Sequence, residues 1–159
     1  MLKKNTETFL GCDAGWEEAR VVLYGAPYDS TTSFRPGTRF GSRAIRAESY
    51  GLELYSPYQD AELQGLVLDS GDLELPFGDP APALTMIEAR AAEILQGGKI
   101  PFLLGGEHLV TLGAVRAAAK VHKGLHILHF DAHADLRADY LGAPLSHACV
   151  LRRCHEIVG

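Results

Sequence analysis

Apolar residues fall along this chain in short runs separated by longer stretches of helical spacing. Residues 20–25, RVVLYG, are a short apolar run closed by a glycine and predict a buried strand. Residues 26–42, APYDSTTSFRPGTRFGS, are rich in Gly, Pro, Ser and Thr and predict a long loop. A helix is expected over 43–50, with Ser42 as its N-cap. LQGLVLD at 63–69 predicts a second strand, leading into a turn at Ser70-Gly71-Asp72. From 81 to 97, Ala83, Leu84, Ile87, Ala91, Ile94 and Leu95 repeat with an approximate 3.6 period, so a helix is expected there, ended by Gly97-Gly98. IPFLLG at 100–105 reads as a strand, HLVTLGAVRAAAKV at 108–121 as a helix interrupted only by Gly113, GLHILHFD at 124–131 as another strand, and 147–157 as a final helix. Strands alternating with helices predict a parallel α/β sheet covered on both faces.

Bulk properties narrow the function. A length of 159 residues corresponds to about one domain. The net charge of -5, with no basic stripe, argues against a nucleic-acid partner. The longest apolar runs, about five residues, are too short to span a bilayer. MLKKNTETFLGCDAGW has no apolar core of a signal peptide, so a cytoplasmic protein is expected. Cys12, Cys149 and Cys154 form no CxxC pair and are expected as free thiols in a reducing compartment. All seven histidines lie after residue 107, which draws attention to the second half of the chain.

In parallel sheets, working residues gather at the carboxyl ends of strands. Two clusters fall there: Gly105-Gly106-Glu107-His108 and Asp131-Ala132-His133-Ala134-Asp135. In extended chain, the i, i+2, i+4 spacing of Asp131, His133 and Asp135 puts all three side chains on one face. Two carboxylates and an imidazole suit a divalent ion such as Mn²⁺, Zn²⁺ or Fe²⁺. The lack of cysteine argues against a structural zinc site. His108 offers a fourth ligand from the neighbouring strand end, where Gly105 and Gly106 let the backbone turn tightly. Ordinary turn chemistry would also place Asp and His after a strand. Carboxylates this close, however, repel unless a cation or proton lies between them.

GGEH and HFDAHADL resemble the two N-terminal signatures of the ureohydrolase family, the arginases and agmatinases. The segments Gly25–Asp29, Arg35–Gly41, Ala44–Arg46, Asp69–Asp72 and Ser146–Ala148 follow in the family's order. Two departures are Ser42, where many relatives have Pro, and Leu109, where most have Ser. The resemblance implies an arginase-like three-layer α/β sandwich with a mainly parallel sheet, of which residues 1–159 would be the N-terminal portion of a single, truncated domain. It also implies two Mn²⁺ ions, with His108 and Asp135 on one, His133 on the other and Asp131 bridging both. Such ions acidify a shared water and polarise the substrate, and by resemblance that water attacks a guanidinium carbon and releases urea. His147 matches the family's non-ligand histidine, which moves protons. His126 and His129, inside a strand, are expected as core or supporting groups, and His122 and His155 as surface residues.

The loop from Asp135 to His147 resembles the agmatinase form, with Asp139, Tyr140 and Ser146 near the metals. The expected substrate is therefore the small guanidino compound agmatine, cleaved to putrescine and urea, a step of polyamine synthesis. Arginine and guanidinobutyrate are the alternatives. The family's second half supplies an Asp-x-Asp ligand pair and a substrate-binding glutamate, which this chain lacks. The second metal would then keep only His133 and Asp131, and the middle of the sheet would be missing, with apolar edges exposed. Residues 1–159 alone are accordingly expected to be inactive, and a non-catalytic pseudoenzyme or interaction subunit is the competing reading. Family members commonly form trimers or hexamers, so a homo-oligomer is expected of the complete protein.

Overall fold

The computed structural model describes residues 7–159. Its elements are β1 (Val21–Ala26), α1 (Gly41–Ser49), β2 (Tyr55–Ser56), β3 (Ala61–Glu62), β4 (Val67–Asp72), α2 (Pro80–Gln96), β5 (Ile100–Gly105), α3 (Thr111–Val121) and α4 (Val150–Val158). β1 is the central strand of a sheet of order β4-β1-β5, and both of its pairings are parallel. Side chains alternate across a strand. Val22, Tyr24 and Ala26 face one way and join Ile87, Ile94 and Leu112 of α2 and α3 in the main core. Gly25 faces the other way, so close to α1 that a side chain there would run into Asp72 Oδ1 and stand 3.1 Å from Ser42 Cβ. Helices thus cover both faces, giving the three layers and parallel sheet expected. Gly113 does not weaken α3. It lets α2 and α3 touch, since a Cβ there would lie 2.8 Å from Ile87.

Several local expectations are corrected. α1 begins at Gly41, so Ser42 is not its cap but a buried helical residue whose hydroxyl donates to Asp72 Oδ2 at 2.9 Å. The strand expected over 63–69 is shifted to Val67–Asp72, and Ser70-Gly71-Asp72 continues the ladder instead of turning. A small antiparallel β2–β3 hairpin was not foreseen. α2 does begin with a sequence-readable cap: Asp79 accepts from the Ala81 N–H at 2.9 Å, followed by Pro80. The helices expected from 108 and 147 each begin with a 3-10 turn, His108–Val110 and His147–Cys149.

The largest correction concerns 124–131, which is not a strand. Its residues from 125 to 130 have no regular secondary structure and no ladder partner among the described residues. A strand exists only by pairing, whatever its propensity. Ile127 still packs on the core, while Phe130 is 94% exposed. The outer edge of β5 is likewise unpaired among the described residues, with Ile100 and Phe102 exposed. The expected apolar edges are therefore present. The three cysteines are free and buried, and no described helix is long and apolar enough to cross a membrane.

Candidate metal centre

β5 delivers the first site residue. After Gly105 the chain must pass very close to the segment following β1: a Cβ at Gly106 would collide with the Tyr28 carbonyl and lie 2.6 Å from the Ala26 carbonyl. The freedom expected of Gly105-Gly106 is thus needed at Gly106 for a close approach. Glu107 then caps the turn, its carboxylate accepting from the Leu109 N–H at 3.2 Å. Its other oxygen takes the Thr31 N–H at 3.0 Å and the Thr31 hydroxyl at 2.5 Å. This buried glutamate ties the 26–40 loop to the base of His108.

His108 Nδ1 lies 2.6 Å from Asp135 Oδ2 and 3.5 Å from Asp131 Oδ2. The expectation that Asp131, His133 and Asp135 share one face of an extended chain is not met. Asp131 Oδ1 accepts from the His133 N–H at 2.9 Å, which bends the chain, and Asp135 has φ 49°, in the left-handed region. Asp tolerates that region better than most residues. Here it is held because the Leu151 and Arg152 N–H groups at the start of α4 donate to the Asp135 carbonyl at 3.1 and 3.2 Å. The bend brings Asp131 and Asp135 together and turns His133 outward: its side chain is 81% exposed, with Nδ1 3.6 Å from Asp131 Oδ1. Asp131 therefore presents Oδ2 to His108 and Oδ1 to His133. The His133 N–H, with the nearby imidazoles of His108 and His129, holds the Asp131 carboxyl below the usual carboxylate range.

His129, expected as a core or supporting group, instead joins the cluster. One donor atom each from His108, His129, Asp131 and Asp135 lies within 4.8 Å of the others. Donors about 2.0–2.2 Å from a common cation lie at most ~4.4 Å apart, so the cluster is within a few tenths of an ångström of such a shell. The donor set, imidazole nitrogen with carboxylate oxygen, fits the divalent ions of the sequence reading. His126 is exposed, contrary to expectation, as are His122 and His155 in agreement with it.

His147 lies on the same cleft of about 430 Å³ as His108, Asp131, His133 and Asp135. Its Nδ1 is 2.7 Å from the Thr31 carbonyl. A carbonyl only accepts, so Nδ1 carries the proton and Nε2 is the nitrogen of the neutral ring free to take one. The His147 backbone N–H donates to the Thr31 hydroxyl at 3.1 Å, and Tyr140 meets the ring edge-on. Of the other loop residues, Ser146 is buried and bonded to Cys149 Sγ, whereas exposed Asp139 accepts from the Gly142 N–H through Oδ1 alone. Arg137, not singled out from the sequence, places its guanidinium 5.5 Å from the Tyr140 ring.

The upstream segments support the walls. Buried Asp29 holds the 37–39 turn through the Gly37 N–H at 2.7 Å and the Arg39 side chain. The Arg39 hydrogen bond, with those of the Gly37 and Arg39 N–H groups, keeps the Asp29 carboxyl below its ordinary range. Arg46, almost wholly buried, forks onto Asp69 at 2.7 and 2.9 Å and reaches Asp72 at 2.5 Å. Asp69 and Asp72 are thus structural anchors, whereas Arg35 lines the cleft.

The class is that of a three-layer α/β protein with a histidine–aspartate cluster at the carboxyl edge of its parallel sheet. The arginase family's sequence model matches residues 19–159, and the chain belongs to that family. It is 49% identical over 154 residues to the agmatinase of Bacillus subtilis (strain 168), covering 96% of this chain and 53% of that protein. Among solved structures, the agmatine ureohydrolase of Thermoplasma volcanium is 34% identical with a TM-score of 0.90, covering 99% of this chain and 53% of that one. A formiminoglutamase variant of Trypanosoma cruzi, solved with Mn²⁺, is 25% identical with a TM-score of 0.77, covering 88% and 48%. The chain spans about half the length of the curated relatives it matches.

Proposed function

We propose that the whole protein is an amidinohydrolase that cleaves agmatine to putrescine and urea, using two Mn²⁺ ions. The observation that carries this reading is the meeting of His108, Asp131 and Asp135 on one cleft with His147. The agmatinase of Bacillus subtilis supports the choice of substrate. Loop 135–147 supports it less than the sequence reading expected, because Ser146 is buried against Cys149 and Arg137 adds a cation.

His108, Asp131 and Asp135 would hold one ion, and Asp131 Oδ1 with His133 would contribute to the second. When bound, the ions acidify water and polarise the substrate. Hydrolysis adds water to the guanidinium carbon and breaks its bond to the alkyl amine nitrogen, which must leave with a proton. His147 Nε2 is placed to take a proton and return it there, while Thr31 fixes the ring.

Residues 1–159 alone are proposed to be inactive, because on the Asp131 Oδ1 side only His133 accompanies that carboxylate among the described residues. Urea release from agmatine and from arginine, measured with a complete homologue and with this chain, tests both parts. A preference for arginine defeats the substrate assignment, and robust turnover by this chain defeats the inactivity.

A further inference from the structure

Glu107 does more than cap the turn after β5. It is 5% exposed, and its two oxygens take three donors. Oε1 accepts the Thr31 N–H at 3.0 Å and the Thr31 hydroxyl at 2.5 Å, and Oε2 accepts the Leu109 N–H at 3.2 Å. A hydroxyl has a single proton to give. With that proton on Glu107, Thr31 Oγ can only accept from other groups, and it accepts the His147 N–H at 3.1 Å. The carbonyl of the same residue accepts from His147 Nδ1 at 2.7 Å. Donation therefore runs one way, from His147 to Thr31 and from Thr31 to Glu107. Only a carboxylate completes this arrangement. An amide has one acceptor oxygen and an NH₂ group that only donates, so in its place either Thr31 or the Leu109 N–H would face a donor.

We propose that Glu107 is a positioning residue for His147. Acting through Thr31, it fixes the ring and keeps its proton on Nδ1, leaving Nε2 bare. The proposal rests on the reading of His147 as the proton carrier and adds the group that sets it. Glu107 directly precedes His108. The turn that presents a metal ligand to the cleft therefore also sets the proton carrier, although the two histidines come from distant parts of the chain.

Nitrogen NMR of the imidazole rings in the metal-free 159-residue chain, at a pH where His147 is neutral, reads the tautomer. In wild type the two ring nitrogens of His147 should be far apart in shift, with Nδ1 protonated. Glu107→Gln should move the two shifts toward each other as the Nε2-protonated form gains population, because the tautomer follows the hydrogen bonds the ring is offered. Thr31→Val leaves Glu107 in place but removes the link, and should move them in the same direction. The double variant should move them no further than the larger single change, and Thr31→Ser, which keeps a hydroxyl, should return the wild-type shifts. Ser42→Ala removes the hydrogen bond from α1 to Asp72 and controls for a general loss of stability; it should leave the His147 shifts unchanged. Wild-type shifts in Glu107→Gln, or in Thr31→Val should Glu107→Gln not fold, overturn the proposal while His147 keeps its role. Equal movement in Ser42→Ala overturns it too. A wild-type ring protonated on Nε2 defeats the reading of His147 and this proposal with it.

Discussion

Replacing Arg46 tests whether the Asp69–Asp72 segment is an anchor rather than part of the pocket. Arg46 makes three charge-assisted bonds, two to Asp69 and one to Asp72. The two carboxylates respond differently to its loss. The Asp72 side chain is 30% exposed and can be rehydrated. Asp69 is fully buried and keeps only the Phe9 and Gly71 N–H groups, at 2.8 and 3.0 Å. Removing one partner of a buried pair costs about 3–5 kcal/mol, because the remaining charge is uncompensated. The partial relief at Asp72 places Arg46→Ala near the lower end, about 3 kcal/mol. That is a large share of the roughly 5–15 kcal/mol available to a domain of this kind. Arg46→Lys keeps the charge but not the fork, and should lose about 1.5–3 kcal/mol. Arg46→Met with Asp69→Leu should cost less than the two single changes summed, since no buried charge is stranded. Urea unfolding followed by circular dichroism measures all six chains, wild type and the two single components of the double variant included, and m-values equal to wild type would license the comparison. An Arg46→Ala midpoint equivalent to a loss under about 0.5 kcal/mol, the scale of ordinary surface changes, would refute the anchor.

Four further outcomes are expected. Asp29 has a lowered carboxyl pKa, so it contributes stability that is complete above its unfolded value of about 3.9 and lost as pH falls through the lower folded value. Asp29→Asn should therefore destabilise the protein at pH 7 and flatten the decline in stability below about pH 5; an acid limb as steep as wild type would contradict this. Thr31→Val removes the hydroxyl that bonds both Glu107 and the His147 N–H, and should cost about 1.5–3 kcal/mol in urea unfolding. Nitrogen NMR of wild-type His147 should show the proton on Nδ1, and an Nε2-protonated ring would overturn the proton-transfer role given to it. Gly106→Ala should leave little folded protein, because its methyl would enter the space of two backbone carbonyls, and normal thermal unfolding would show that the close approach is absent.

His108, Asp131 and Asp135 were legible because each follows a feature the sequence displays, a strand or the DAHAD run. The departure of His133 was not, because one hydrogen bond from Asp131 to the His133 N–H and the positive φ of Asp135 break the period-2 alternation. The same alternation, extended two residues back, was the available signal for His129. Glu107 could have been recognised as a cap from its position before an apolar helical run, but its second partner, Thr31, lies 76 residues away and no local pattern names it. The strand expected at 124–131 failed for a related reason: β-propensity is local, whereas a ladder needs a neighbour.

The start of α4 connects these observations mechanically. Asp135 occupies its left-handed conformation because two N–H groups of α4 grip its carbonyl, and the Arg137 N–H donates to the Ala148 carbonyl at 3.2 Å alongside them. The turn His147–Cys149 leads directly into the same helix. One helix start therefore sets both Asp135, which faces His108, and His147, whose ring is fixed by Thr31. Residues 138–145 span the gap between these two fixed ends, with Leu141 and Gly142 at the exposed tip and an isolated Tyr140–Ala143 bridge across it. Under the proposed function, a change of side chain in that span would alter the cleft rim without moving Asp135 or His147, since both are held from the helix start.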